Sequence, residues 1–351
     1  MRSRALGGLV AAVALSVSGC AGSPLTGGSG LGEAVTAAFP VAVVDCAGKP
    51  TSFEEPAQRI VTSNGAALEI LLRLGVDDQV IGTGFPPGAG YLPDDLAARG
   101  AKVPVLGQGT ISKEKLLGSG ADLYVDAFGA MGSMGGPPSD QEMTAARIKH
   151  LYLLSTACAS GKGGPQTDLA NVEQDVKRLG AVTGKLSRAD ELVATMEATT
   201  DRVRAALKDL PSERRPGYFF FDYDAGTKQP MAVCGRQVAN AVITLAGARN
   251  VFEDCDADFR PVGWEDVVAK DPDWIQLGVR SRGNAADTEK AFDEAEQFLR
   301  SSPATREMKA VREGHFLRIG SEVTTIAGTR NADTVQRIAR TVHPDLVKDG
   351  E

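Results

Sequence analysis

The sequence predicts an α/β protein with two Rossmann-like lobes, each containing a parallel sheet, joined by one long α-helix and separated by a ligand cleft. Three features of the 351-residue chain lead to this prediction. Short apolar runs alternate with helical patterns, a helix-to-strand segment occurs in both halves, and a long amphipathic stretch separates the halves. Such alternation is typical of parallel sheets that are buried on both faces, and the length suits about two domains.

The N-terminus has the composition of a lipoprotein-type export signal. Arg2 and Arg4 form a basic start, residues 5–17 form an apolar run too short to span a bilayer, and small residues precede Cys20. The segment ending at Cys20 resembles the bacterial lipobox, in which the cysteine is lipidated and becomes the mature N-terminus. An ordinary cleaved signal that contains a cysteine by coincidence is the alternative. Residues 21–32 are rich in Gly and Ser, which suits a flexible tether.

A lipid on Cys20 would hold the protein at the outer face of the cytoplasmic membrane, on the cell surface or in a periplasm. No other covalently bound group is expected. The chain is therefore divided into a signal peptide (1–19), a lipidated tether (20–44), a first lobe (45–184), a connecting helix (185–211) and a second lobe (212–351).

Strands are predicted at the short apolar runs. These runs are 59–62, 79–82, 103–106, 123–125 and 151–154 in the first half, and 218–221, 274–277 and 316–319 in the second. Between the halves, one helix carries an apolar stripe and ends at Pro211. At 1.5 Å per residue this helix would span about 33 Å, which is the width of a small domain.

Four cysteines remain after Cys20, namely Cys46, Cys158, Cys234 and Cys255. An even number in an oxidising compartment predicts two disulfides. Metal binding is the alternative, although no pair has C-x-x-C spacing and the histidines lie far away in sequence. Among the three possible pairings we predict Cys46–Cys158 and Cys234–Cys255, because a bond within one lobe is not strained by hinge motion.

One helix-to-strand segment occurs twice. Residues 111–125 align without a gap with residues 262–276, which places Glu114 opposite Glu265. Each copy has an early acidic residue, an apolar helix face, a breaker and an Asp before the strand. Duplication of a lobe is one explanation. The other is that helix-to-strand units look alike in any α/β protein.

The chain resembles the single-helix-linked substrate-binding proteins of ABC importers, the type that takes up iron–siderophore complexes, haem and cobalamin. The resemblance covers about residues 45–346 and is carried by several motifs. These are the opening strand–loop–helix at 56–75, two "PDL-hydrophobic" motifs at 122–125 and 272–275 with Ala121 replacing the first proline, an "AGG.NVF" motif at 246–252 with Ala248 at the second glycine, and a C-terminal helix marked by 330–333 and 343–344.

The resemblance implies docking onto a two-fold symmetric ABC permease dimer, to which each lobe offers one glutamate. Glu114 and Glu265 fall at the matching positions of this sequence. Two equivalent exposed carboxylates suit a symmetric partner. The alternative is that both are acidic residues at helix N-termini, stabilised by the helix dipole.

The ligand is expected between the lobes, beyond the carboxyl ends of the strands. The candidate ligand-binding residues are Asn64, Gly65, Phe85, Gln108 and Phe128 in the first lobe and Tyr223, Arg236, Arg280 and Arg330 in the second. Aromatic rings would cover a flat or apolar ligand, and arginines would bind an anionic one. The glycine-rich segment 129–136 is a candidate rim. Alternatively, these side chains are ordinary surface or core residues, and the arginines pair with carboxylates such as Asp222 and Glu265.

The first function that the sequence predicts is the capture of an iron–siderophore or a similar large chelate or cofactor for import, by a monomer with no metal site of its own. Ferric hydroxamates, catecholate complexes, haem, corrinoids and a phosphorylated deazaflavin precursor remain open as cargo. The net charge of −7 argues against a nucleic-acid partner.

Three other functions are considered. An exported enzyme lacks support, because G-x-S-x-G, G-x-G-x-x-G, H-E-x-x-H and the P-loop motif are absent. A zinc or manganese importer would need several histidines in the cleft, whereas His150, His315 and His343 are scattered. A passive cell-wall protein would bind no saturable small ligand.

Overall fold

The computed structural model describes residues 39–129, 136–161 and 164–348. The predicted signal peptide, Cys20 and most of the predicted tether lie outside the described residues, as do residues 130–135 of the candidate rim. Within the described part of the chain, no helix combines the length and the apolar character needed to cross a membrane.

The first lobe opens with an antiparallel hairpin and continues with a parallel sheet. The hairpin consists of β1 (Val41–Val44) and β2 (Pro50–Phe53). The sheet consists of β3 (Ile60–Thr62), β4 (Val80–Thr83), β5 (Leu123–Asp126) and β6 (Lys149–Tyr152), in the order β4–β3–β5–β6. The helices are α1 (Gly65–Leu74), α2 (Asp94–Gly100), α3 (Lys113–Leu117), α4 (Asp140–Ala145) and α5 (Ala170–Val182).

The second lobe follows α6 (Leu186–Ala206) and contains a second parallel sheet. Its strands are β7 (Gly217–Asp222), β9 (Arg249–Asn250), β11 (Trp274–Gly278) and β12 (Phe316–Arg318), in the order β12–β11–β7–β9, and a separate antiparallel pair is formed by β8 (Met231–Val233) and β10 (Phe259–Pro261). The helices are α7 (Val238–Leu245), α8 (Trp264–Lys270), α9 (Ala285–Ser301), α10 (Lys309–Glu313), α11 (Glu322–Thr325) and α12 (Asn331–Val342). The structure thus contains the two parallel α/β sheets that the sequence predicts.

Two predicted strands of the first lobe differ from the structure. The run 103–106 does not form a strand, and Val105 makes an isolated bridge to Thr83. Pro104 has no N–H group to donate, so this run cannot extend the ladder regularly. The last strand of the sheet is β6 rather than 151–154, because the chain turns into a π-helical segment at Leu154–Cys158.

One helix, α6, connects the lobes along the chain, and α5 also packs in the cores of both lobes. Helix α6 places Ala189 and Val193 in the hydrophobic core of the first lobe and Met196 and Val203 in a core of the second. Helix α5 does the same in the reverse direction, since its C-terminal half packs in the first core and its N-terminal end in the second. A Cβ atom at Gly180 would lie 2.3 Å from Cβ of Ala189, so glycine permits this close helix contact.

The predicted boundaries around these elements shift by a few residues. Strand β1 begins at Val41, inside the segment 20–44 predicted as tether, because Val43 packs into the first core. The connecting helix is predicted over 185–211, whereas α6 ends at Ala206 and residues 207–209 form a turn before Pro211.

Candidate ligand-binding site

A cavity of about 620 Å³ lies between the two lobes, and both lobes contribute to its walls. Seven of the nine candidate ligand-binding residues line it, namely Asn64, Gly65, Phe85, Gln108, Phe128, Arg236 and Arg280. In the first lobe, four of them follow the carboxyl ends of β3, β4 and β5. The position of the cavity therefore matches the place where ligands bind in open parallel sheets.

The first-lobe wall is apolar and aromatic. The rings of Phe85 and Phe128 meet edge to face with centroids 5.1 Å apart. Phe85 has a φ of 34°, which lies in the left-handed region and is strained for a bulky side chain. Its backbone is held there, because its N–H donates to Gly109 O over 3.0 Å and its carbonyl accepts from Gly65 N–H over 3.1 Å. The fold thus fixes an aromatic ring at the cavity at some conformational cost.

Asn64 and Gly65 line the cavity and also stabilise the local fold. The Asn64 side chain caps α1, since its Oδ1 accepts from the backbone N–H of Ala67 over 2.9 Å. A Cβ atom at Gly65 would lie 3.0 Å from the backbone nitrogen of Pro87, so a larger residue there would require the loop after β4 to move slightly away.

The second-lobe wall carries the charged groups. Arg280 lies 3.8 Å (Nη2 to Oδ2) from Asp222, and more than half of its side chain is exposed. Burial raises the pKa of Asp222, while the positive charge of Arg280 opposes that rise. Arg236 forms a close pair with Asp256, and this hydrogen bond lowers the pKa of Asp256. The arginines of the cavity therefore meet carboxylates, as the alternative interpretation of the sequence suggested, and Arg280 has the longest of these contacts.

Two candidate ligand-binding residues are not among the residues that line the cavity. Tyr223 packs its ring against Phe221 with centroids 6.0 Å apart. Arg330 crosses to the first lobe, where it pairs with buried Glu69 over 2.8 Å and lies 4.6 Å (Cζ to ring centroid) from Tyr91. Arg330 thus joins the two lobes and is not among the residues that line the cavity.

Several lining residues were not among the candidates from the sequence. Most of them lie in irregular segments, whereas Phe259 begins β10 and Glu322 begins α11. They include Tyr91, Gln166, Gln237, Phe259, Arg282 and Glu322. A second lobe-to-lobe contact lies at the same rim, where Ser281 Oγ donates to Ala89 O over 2.9 Å. The run Pro86-Pro87-Gly88-Ala89-Gly90 was a turn signal that could have pointed to this rim.

The described residues offer no cluster of three or more His, Cys, Asp or Glu side chains that could hold a metal ion. The three histidines do not line the cavity. His150 pairs with Asp126 over 3.0 Å, His315 stacks on Trp274 with centroids 4.4 Å apart, and His343 lies 3.0 Å (Nε2) from Gly247 O. The cavity is therefore equipped for hydrogen bonds and apolar contact.

Both predicted cysteine pairs form disulfides in the structure, each with a Cα–Cα distance of 5.0 Å. Cys158 ends the π-helical segment whose residues Ser155 and Thr156 line the cavity, and Cys234 precedes Arg236. Each disulfide therefore braces a segment of the cavity wall.

The two candidate docking residues occupy equivalent positions away from the cavity. Glu114 is the second residue of α3 and Glu265 is the second residue of α8, and both are exposed. Neither forms an ion pair within the residues that the structure describes. Their equivalence agrees with the repeat, and their helix positions also agree with the dipole alternative.

The chain is similar in sequence to known binding proteins. A family model described as periplasmic binding protein matches residues 60–323, which span both sheets. The ABC transporter substrate-binding lipoprotein YvrC of Bacillus subtilis is 21% identical over 347 residues, covering 97% of this chain and 96% of the relative. A cobalamin-binding protein of Halobacterium salinarum is 22% identical over 307 residues, covering 87% of this chain and 74% of the relative.

A solved structure shares the same fold. The ABC-type Fe³⁺-hydroxamate transport protein from Saccharomonospora viridis superposes with a TM-score of 0.68 at 23% identity, covering 87% of this chain and 100% of that chain. The matched family consists of binding proteins rather than enzymes. The chain therefore belongs to the periplasmic binding protein family, the substrate-binding proteins of ABC importers.

Proposed function

We propose that this protein captures an iron–siderophore complex, or a similar large chelate or cofactor, outside the cytoplasm and delivers it to an ABC permease dimer. One observation carries the proposal. The cavity of about 620 Å³ has aromatic rings on its first-lobe wall and arginines on its second-lobe wall. A ligand of this class offers both an apolar surface and anionic or hydrogen-bonding groups, so it can engage both walls at once.

A bare metal ion fits this lining poorly. Zinc and manganese sites in proteins are built from imidazole and carboxylate ligands held close together. The described residues contain no such cluster, and the histidines lie elsewhere. The metal, if the cargo contains one, would arrive already bound by an organic ligand.

Haem, a corrinoid and a deazaflavin precursor are the alternative cargoes for the same cleft. The relatives named above include a cobalamin-binding protein and a Fe³⁺-hydroxamate transport protein. Both are less than 25% identical to this chain, so they support the class of cargo without choosing a member. All of these candidates present a large apolar or planar part together with polar groups.

Delivery would use the outer faces of the two lobes. Glu114 and Glu265 are exposed and equivalent, which supports their role as the two contacts with a two-fold symmetric permease. Lipid on Cys20 would keep the protein near the membrane, in agreement with its similarity to a lipoprotein along almost the whole chain.

To identify the cargo, the protein should be purified under mild conditions from its own host. Native mass spectrometry should detect one small molecule per chain, and absorbance should separate ferric complexes, haem and corrinoids from a colourless cargo. Titrations of the ligand-free protein with ferrichrome, haemin and cyanocobalamin give an independent measure. The variant Arg188→Ala, on the outer surface, serves as a control that should behave like the wild type. The proposal fails if no small molecule is retained and none of the three compounds binds.

A further inference from the structure

Gln166 occupies an unusual place among the residues that line the cavity, because it is bonded to both lobes. Its backbone N–H donates to Gly235 O over 2.8 Å, and its own carbonyl accepts from Asn240 Nδ2 over 2.9 Å. Its side-chain Nε2 donates to Arg236 O over 2.5 Å in the second lobe and to Ser155 O over 3.3 Å in the first. One amide group thus joins two wall segments, each of which is braced by a disulfide.

These contacts fix the orientation of the side-chain amide. Both partners of the terminal group are backbone carbonyls, which only accept hydrogen bonds, so the nitrogen must face them. The oxygen Oε1 therefore points away from both carbonyls. It is buried and has no donor among the described residues. A buried carbonyl oxygen without a donor is uncommon in folded proteins.

Three other side-chain amides line the cavity, and they behave differently from Gln166; one of them, Gln108, is exposed. Gln237 has both ends satisfied within the protein, since Nε2 donates to Thr325 O and Oε1 accepts from Ala239 N–H, each over 2.5 Å. Asn64 uses its oxygen to cap α1. Among these amides, the oxygen of Gln166 is the one that is both buried and without a donor within the part of the chain that the structure describes.

We propose that Gln166 determines ligand specificity, with Oε1 accepting a hydrogen bond from an N–H or O–H group of the bound ligand. This inference rests on the proposed function, since it assumes that the cargo occupies the cavity. A ligand with a donor at this position satisfies the oxygen, whereas a ligand with an acceptor there meets it with repulsion. Because the same amide holds Ser155 and Arg236, ligand contact and the bridge between the lobes depend on one side chain.

The test compares two substitutions of nearly equal size. Gln166→Glu keeps an acceptor oxygen at the end of the side chain but loses both donated bonds. Gln166→Met loses the acceptor and the donors. Calorimetric titrations use ferrichrome, haemin and cyanocobalamin as probes. For whichever probe the wild type binds, Gln166→Met should weaken binding by about tenfold or more, and Gln166→Glu should weaken it less.

A purely structural bridge predicts the opposite order. A carboxylate facing two carbonyl oxygens is repelled by them, so Gln166→Glu would then be at least as harmful as Gln166→Met. That order overturns the inference. Gln174, exposed on α5, provides the matched controls Gln174→Glu and Gln174→Met, for which affinity should stay within twofold of the wild type.

Failure of the proposed cargo gives a different result. If none of the three probes binds the wild type, the proposed cargo classes are contradicted, and the Gln166 variants are then compared by the amount of native cargo that each retains on purification. Greater retention by Gln166→Glu than by Gln166→Met supports the role of Oε1. Equal or reversed retention, or the absence of any retained cargo, overturns it.

Discussion

The two walls of the cleft differ in chemistry, although the lobes that carry them share one architecture. The first-lobe wall presents Phe85 and Phe128 with uncharged amides, and the second-lobe wall presents Arg236, Arg280 and Arg282 together with carboxylates. Apolar contact depends on shape and is insensitive to salt, whereas charge contact is screened. For the cargo proposed above, the difference predicts an orientation with its apolar part toward the first lobe and its charged or polar part toward the second.

The largest effect on affinity is expected from the first-lobe wall. Phe85→Ala should weaken binding of the cargo by about thirtyfold, which corresponds to about 2 kcal/mol of lost apolar contact. The loss should be the same at low and high salt, because the lost contact carries no charge. Calorimetry at two salt concentrations measures it, and Phe85→Leu, which keeps apolar volume, should fall between the wild type and the alanine variant. Affinity of Phe85→Ala within twofold of the wild type would contradict the assignment of this wall.

A smaller effect is expected from the second-lobe wall. Arg280→Ala should weaken binding of an anionic cargo by about tenfold, because a charged hydrogen bond contributes about 1.5–3 kcal/mol and Asp222 already offsets part of the charge. Unlike the Phe85 effect, this loss should shrink as salt is added. The same titrations measure it, with Arg188→Ala as the surface control. A loss that does not depend on salt would show that Arg280 acts through shape.

Substitution of Asp222, which faces Arg280, is expected to strengthen binding instead of weakening it. Removing the negative charge with Asp222→Asn should strengthen binding of an anionic cargo by about threefold, since Arg280 then faces only the cargo. Burial raises the pKa of Asp222, so in the wild type its carboxylate becomes neutral as the pH falls through that raised value. Wild-type affinity should therefore rise toward acidic pH, and the asparagine variant should lack this rise. Identical pH profiles for the two proteins would refute the coupling.

Substitutions on the outer faces of the lobes, at the equivalent positions 114 and 265, should have the smallest effect on ligand affinity. Reversing Glu114 and Glu265 to Lys should change ligand affinity by less than about twofold, because both residues lie away from the cavity. Uptake by cells should fall sharply, since two positive charges now meet a socket expected to be positive. A transport assay with Glu191→Lys, an exposed residue of α6, as the control separates the two readouts. Normal uptake by the double variant would exclude these two residues as docking contacts.

The sequence identified residues that line the cavity better in the first lobe than in the second. Parallel strands bring their carboxyl ends to one edge, so residues after β3, β4 and β5 could be grouped without knowing how the lobes pack. Arg330 could not be placed in this way, because its long side chain reaches Glu69 of the other lobe, and such pairing depends on how the two lobes pack together. Tyr223 is not among the residues that line the cavity for a different reason, since its half-buried ring packs on Phe221 of its own lobe.

Contacts between the lobes cannot be predicted from the sequence, and this also explains why some lining residues were missed. Gln166 lies in an irregular segment before α5, directly after the turn signal Gly163-Gly164-Pro165, which predicts a loop but does not distinguish a lining residue from solvent-exposed chain. Its proposed role rests on four contacts, three of which cross to the second lobe and exist only once the lobes are assembled. In the first lobe, the run 103–106 was predicted to be a strand because of its apolar residues. Pro104 could have corrected that prediction from the sequence alone.

The packing of α5 and α6 has a consequence for how the molecule unfolds. Each helix contributes side chains to the cores of both lobes, so neither lobe can lose its core without exposing apolar surface of the other. Melting of either lobe alone would leave half of each helix unsupported, and partial unfolding is therefore penalised. Scanning calorimetry should record a single cooperative transition, as for one domain, and two separated transitions would show that the helices do not couple the lobes.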